Sequence, residues 1–274
     1  MRIRTLIISL LAVFAISAIA SASASAGPTC VPNLGGTFKC EWEVQECKAV
    51  TGGIFTNGTC EVVGAGGFGE TGTRGKLAAG KKRLVTSKIK SGTTFVLKAS
   101  GIEVKCKSAT DEGTITGSSP GTDETTVTFD TCTTSIPGCL VKSATQKAGN
   151  ILVKNIGTKL VEGETMAGVK VLAEEFFKAG EFVTLEFGKK EVGEPPTSTL
   201  TEKCSGTIPL IAKVTGKVFA IVTSEGAGGK TITLTFPAGG LKTPVNALKV
   251  FGLAAELVGE EEVSLVGGGE LKAV

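Results

Sequence analysis

Two absences define the chemistry open to this chain. Its 274 residues include no histidine and no tyrosine. Ser-His-Asp and Cys-His catalysis are therefore excluded, and with them the commonest general base near neutral pH. Carboxylates remain. The three aspartates, Asp111, Asp123 and Asp130, fall in one stretch with Glu112 and Glu124. If the flanking strands pair as a hairpin, Asp111/Glu112 and Asp123/Glu124 occupy loop positions that approach each other. Such a pair is what a carboxylate-based hydrolase requires. Asp111, Asp123 and Glu124 are also the candidate ligands of a weak Ca²⁺ site. The plainer reading of the same residues is a set of solvated turn charges.

The remaining catalytic patterns fail on physical grounds. Gly117-Ser118-Ser119-Pro120-Gly121 has the spacing of a nucleophile elbow. No histidine is present to activate Ser119, however, and Pro120 has no N–H to donate to an oxyanion. Ser87-Lys88-Ile89-Lys90 fits a serine/lysine pattern, but strand alternation throws those two side chains to opposite faces. The glycine-rich run from Gly64 to Gly69 lacks a strand–helix frame, and Gly229-Lys230-Thr231 is followed by a strand; both read as turns. No catalytic residue and no cofactor is assigned.

One loop carries a sharper alternative. Residues 132–139 read CTTSIPGC, which resembles the reactive loop of Bowman–Birk protease inhibitors. That resemblance implies a Cys132–Cys139 disulfide holding the loop in a substrate-like conformation. Thr134 would enter the protease's primary pocket, Ser135 would follow the scissile bond, Thr133 would brace the loop and Pro137 would rigidify it. The loop is one residue shorter than in those inhibitors, and Gly138 stands where a second proline is usual.

These residues must be positioned by an exported, oxidised chain. Arg2 and Arg4 precede an apolar run from Leu6 to Ala20, and Ala24-Ser25-Ala26 offers a cleavage site. Residues 1–26 are thus expected to be a signal peptide cleaved near Ala26. The product is secreted and extracellular, with no membrane span in the mature chain. Net charge is +3, falling to +1 once Arg2 and Arg4 leave with the signal. No long-range field remains to attract nucleic acid or anionic membranes. The partner expected is an unknown extracellular protein or a cell-envelope component.

All eight cysteines lie in the mature chain, an even number that favours disulfides over metal sites. Local pairing gives Cys30–Cys40 and Cys47–Cys60. Cys106–Cys204 is expected to close the longest loop, which the chain-entropy model values at up to ~4.7 kcal/mol, with Cys132–Cys139 closing a short one.

The elements follow from periodicity. Residues 27–70 form a Cys/Gly-rich module too poor in apolar side chains to build its own core, and residues 71–82 read as a linker. Residues 83–274 carry short alternating runs such as Thr126-Val127-Thr128-Phe129 and Thr231–Phe236, and glycine, 38 in all, supplies turns. The fold expected is all-β: an antiparallel β-sandwich, with a β-barrel as the alternative. Val171–Lys178 and Val245–Leu257 have helix-forming composition. Pro195-Pro196 is the best internal boundary, read here as a loop inside one domain.

IEVKC ending at Cys106, Gly113–Gly117, VTFDTC ending at Cys132 with Cys139 close behind, and Cys204-Ser205-Gly206 together resemble a set of secreted β-rich proteins of soil Actinobacteria. That resemblance implies export, β-structure and disulfides, and carries no assigned activity. The function expected is that of a non-enzymatic extracellular or cell-surface protein, binding or structural.

Overall fold

A computed structural model describes residues 31–32, 38–99, 101–166, 169–204, 211–224 and 227–274. The expected signal peptide and Cys30 lie outside the described residues. In chain order the strands are β1 (Val31–Pro32), β2 (Phe38–Lys39), β3 (Trp42–Ala49), β4 (Phe68–Lys76), β5 (Lys82–Ile89), β6 (Phe95–Ala99), β7 (Ile102–Thr116), β8 (Thr122–Thr134) and β9 (Leu140–Ser143). They continue as β10 (Ile151–Met166), β11 (Val169–Gly188), β12 (Lys190–Val192), β13 (Thr199–Thr201), β14 (Ile211–Ser224), β15 (Thr231–Phe236), β16 (Lys249–Val250), β17 (Leu253–Leu265) and β18 (Leu271–Ala273). The all-β class is as expected, and every pairing is antiparallel.

Of the two architectures weighed, the pairings trace the barrel. Neighbours run β5–β7–β8–β10–β11–β14–β15–β17, and β17 pairs back to β5 through Glu261↔Ile89 to Leu265↔Val85. A closed sheet has no long exposed edge. At the end formed by the start of β7, shorter strands replace their neighbours. There β6 stands between β17 and β7, β9 pairs with the end of β11, and β16 bridges β14 and β17.

Short alternating runs join into long strands. The runs at 102–107 and 113–116 join as β7, and 150–154 and 158–162 join as β10. Register shifts at Val153/Ile156 and again between Phe177 and Val183 absorb the breaks in alternation. Bulges of this kind bend long strands around a barrel without ending them. The two segments of helical composition contribute to strands: 171–178 lies within β11, and 253–257 opens β17. In β11, Leu172, Glu174 and Phe176 are all buried at a spacing of two; tertiary burial overrides propensity there.

One end of the barrel is capped. β18, β3 and β4 form a three-stranded sheet. Trp42 on β3 is buried, and its Nε1 donates to the Thr122 carbonyl at 3.2 Å. A Cβ on Gly121 would sit 2.7 Å from the Trp42 ring, so the lid closes only over glycine there. Residues 71–76, expected as linker, are part of β4. The cap also takes Leu271 and Ala273 from the far end of the chain. Hence strands from the expected N-terminal module, the linker and the end of the 83–274 region share one sheet. Pro195-Pro196 lies in the turn of the β12–β13 hairpin, a loop as expected.

Two of the expected disulfides are corrected. Cys106 bonds Cys132, and Cys139 bonds Cys204; Cys106–Cys204 and Cys132–Cys139 are not formed. The reason is register. Cys106 and Cys132 stand directly opposite each other on β7 and β8, with Cα atoms 4.0 Å apart. Loop-length arguments compare entropies but carry no register. Cys47–Cys60 is formed as expected. Cys40 is disulfide-bonded, but the expected Cys30–Cys40 pairing falls on Cys30, outside the described residues.

Candidate functional site: a carboxylate layer over an apolar chamber

The barrel interior is divided along its axis. Its lower part is an apolar chamber of about 110 Å³. Phe95 comes from β6, Val127 and Phe129 from β8, Ile156 from β10, Phe176 from β11, and Phe236 from β15. Alternation puts them there, since every second residue of a barrel strand faces inward. Phe95 meets both Phe129 and Phe236 edge-on, with ring centroids 5.4 Å apart in each pair. Among the described residues, one polar side chain lines the chamber: Glu261, at the end toward the cap.

Above the chamber sits a layer of four carboxylates. Asp111 comes from β7, Asp123 from β8, Glu174 from β11 and Glu261 from β17. Asp111, Glu174 and Glu261 are 6%, 3% and 4% exposed. Asp123 is half-buried, but its Oδ1 is shut off from solvent. Hydroxyls supply the donors. Thr125 Oγ1 donates to Asp111 Oδ2 at 3.0 Å, Ser87 Oγ to Glu261 Oε2 at 3.1 Å, and Thr158 Oγ1 to Glu174 Oε1. Oδ1 of Asp111 and Oδ1 of Asp123 have no hydrogen-bond partner. Among the described residues, no lysine or arginine pairs with any of the four.

Burial without a cation disfavours ionisation, and neighbouring carboxylates add like-charge repulsion. Burial, then the charge of Asp111, pushes Asp123 up to about 7. Burial and the charge of Asp123 push Glu174 to about 8. Glu261 is raised well above its ordinary value by burial and by Asp111. Asp111 is raised by burial, offset in part by the bond it accepts from Thr125. Like-charge repulsion within the layer opposes its full ionisation at neutral pH.

The structure thus brings Asp111 and Asp123 together, but on paired strands inside the barrel rather than on facing loops. Glu112 and Glu124, one residue along each strand, are exposed on the outer surface. The Ca²⁺ set of Asp111, Asp123 and Glu124 is therefore split between two faces. Among the described residues, no three carboxylates or cysteines are arranged to hold a metal ion. The space beside Asp111, Asp123 and Glu174 is about 10 Å³. It admits one water-sized group and no sugar ring; Asp123 also borders a separate, open surface hollow with Glu124 and Thr158. Glu174 and Glu261 were missed in the sequence because they lie in acidic runs. The signal available was parity: Glu261 shares its face of β17 with Leu257, Val263 and Leu265.

The 132–139 loop lacks the brace its inhibitor reading requires, since Cys132 and Cys139 bond elsewhere. Thr133 and Thr134 end β8. Thr134 Oγ1 donates to the Cys139 carbonyl at 2.9 Å. Ser135 is fastened to β7: its N–H donates to Glu103 O and its Oγ accepts from Glu103 N. Pro137 is exposed at the tip. Elsewhere, the fully buried Lys142 donates to the Ser198 carbonyl at 2.6 Å and stands 3.5 Å from Glu186, which ties β9 to the β12–β13 hairpin. Arg83 and Glu70 join β5 to the cap, 4.0 Å apart.

No protein-family model, curated protein or solved structure matches this chain.

Proposed function

We propose that the protein is an exported, disulfide-tied, non-enzymatic binding barrel that holds a small apolar molecule in its interior. The observation that carries this reading is the chamber of about 110 Å³ walled by Phe95, Val127, Phe129, Phe176 and Phe236. A dry cavity of about 150 Å³ lined by Leu, Ile and Phe takes up benzene. This chamber is of the same order of size and is likewise lined by apolar side chains. Concave, apolar sites with few polar groups are the usual form of a small-molecule pocket. The disulfides support an oxidising, extracellular setting. The lack of histidine and tyrosine and the cramped space among Asp111, Asp123 and Glu174 argue against catalysis.

The test is thermal unfolding with and without toluene near saturation. A ligand that binds only the folded barrel raises its melting temperature with concentration. The rise should disappear in Val127→Phe, which fills the chamber. No rise in the parent protein, or an equal rise in the filled variant, removes the reading.

A further inference from the structure

The chamber has one polar wall, and that wall is anionic in character. Glu261 closes the chamber toward the cap, and Asp111, Asp123 and Glu174 stand behind it. The Phe176 ring borders both the chamber and the small space among the carboxylates. That space, about 10 Å³, has room for a single group the size of water or ammonium. Two buried acceptors, Oδ1 of Asp111 and Oδ1 of Asp123, are unsatisfied, and Asp111 lines this space. Buried polar atoms rarely stay unpaired in a functional state. A buried carboxylate is relieved most by a positive donor.

The remaining strands offer no such donor. β5 presents Ser87, β8 adds Thr125 and β10 adds Thr158, all neutral hydroxyls. β15 contributes Ile232 and Leu234, and the cap contributes Trp42 and Leu271. β14 adds Val214 and Val218 to the chamber wall. The buried cations Arg83 and Lys142 are engaged elsewhere, Arg83 with Glu70 and the Thr59 carbonyl and Lys142 with Ser198 and Glu186.

We propose that the ligand of the chamber is a small primary amine, with its hydrocarbon body among the phenylalanines and its ammonium against Glu261 and the carboxylate layer. This rests on the reading of the chamber as a ligand site. The ammonium brings three donors to a layer that has unpaired acceptors and no cation. Its charge favours the ionised layer. Each amine bound therefore drives a proton from a carboxyl group to solvent, by linkage between cation and proton. Affinity rises with pH across the range in which the layer deprotonates, until the amine itself loses its proton.

Calorimetry with benzylamine, benzyl alcohol and toluene near pH 8 and near pH 5 tests this. At the higher pH, benzylamine should bind at least about tenfold more tightly than either neutral ligand, and at the lower pH that preference should shrink by about tenfold. Titrations in buffers of different ionisation heat should show about one proton released per amine between these limits and none per toluene. Glu261→Gln should bring benzylamine to the toluene level. Asp111→Asn, which stands outside the chamber wall, should also weaken the amine and leave toluene binding intact, which reports that the chamber is still formed. Equal binding of benzylamine and toluene, or an amine preference that survives both substitutions, overturns the proposal. If toluene binds without any preference for the amine, this inference falls while the apolar-ligand reading stands. If neither binds, both fall.

Discussion

At the residue scale the unusual feature is a set of acids placed where acids are costly. Glu174 reaches about 8 and Asp123 about 7 in the folded barrel, whereas both return to ordinary carboxylate values when the chain unfolds. The folded state then binds more protons than the unfolded state between roughly pH 4 and pH 8, so unfolding free energy falls as pH rises through that window. The barrel should be most stable near the acidic end, with a melting temperature near pH 5 above that near pH 8 by on the order of 10 °C. Glu174→Gln removes one of the ionisations. Its melting temperature should exceed the parent's near pH 8 and match it near pH 5. A flat profile, or a variant less stable at both values, would show that the layer carries no such linkage. Asp111 and Asp123 were visible in the sequence as a cluster. Glu174 and Glu261 were hidden, because charge in an acidic run reads as solvated surface until strand parity is known.

At the scale of elements, the cross-links follow the sheet. Cys106–Cys132 joins neighbours already held in register, and Cys139–Cys204 ties the segment after β8 to that after β13. Their sequence separations are 26 and 65. The chain-entropy model values these at about 3.5 and about 4.3 kcal/mol. Urea unfolding should therefore find the Cys139→Ser/Cys204→Ser pair destabilised at least as much as Cys106→Ser/Cys132→Ser. Non-reducing peptide mapping should recover Cys106 joined to Cys132, and a Cys106–Cys204 peptide would contradict the register. Alternation at Thr126–Phe129 and Thr231–Phe236 was legible because it depends only on neighbouring residues. The bulges that fuse β10 and β11 were not, because an interruption in alternation looks the same whether the strand bends or ends.

At the scale of the molecule, closure makes the two ends of the chain depend on each other. Leu271 and Ala273, 1% and 0% exposed, complete a sheet with β3, whose Trp42 seals the barrel. Truncation after Gly269 should cost about 3–5 kcal/mol, the range for deleting large buried side chains. It should also shift the emission of Trp42, the sole tryptophan, toward that of a solvated indole. Unchanged emission and stability would mean that the cap stands without β18. The barrel was the alternative to the sandwich that the pattern favoured, and the N-terminal module shares its sheet with β18. What the residues determined alone was local: strand periodicity, turns, an oxidisable set of cysteines, and a chemistry without imidazole or phenol. Only the tertiary structure decided which cysteines meet, that β17 returns to β5, and that four carboxylates share one layer above a cavity. Period-two alternation specifies which face of a strand is buried, whereas the partners across that face are set by register and closure, which are properties of the whole chain.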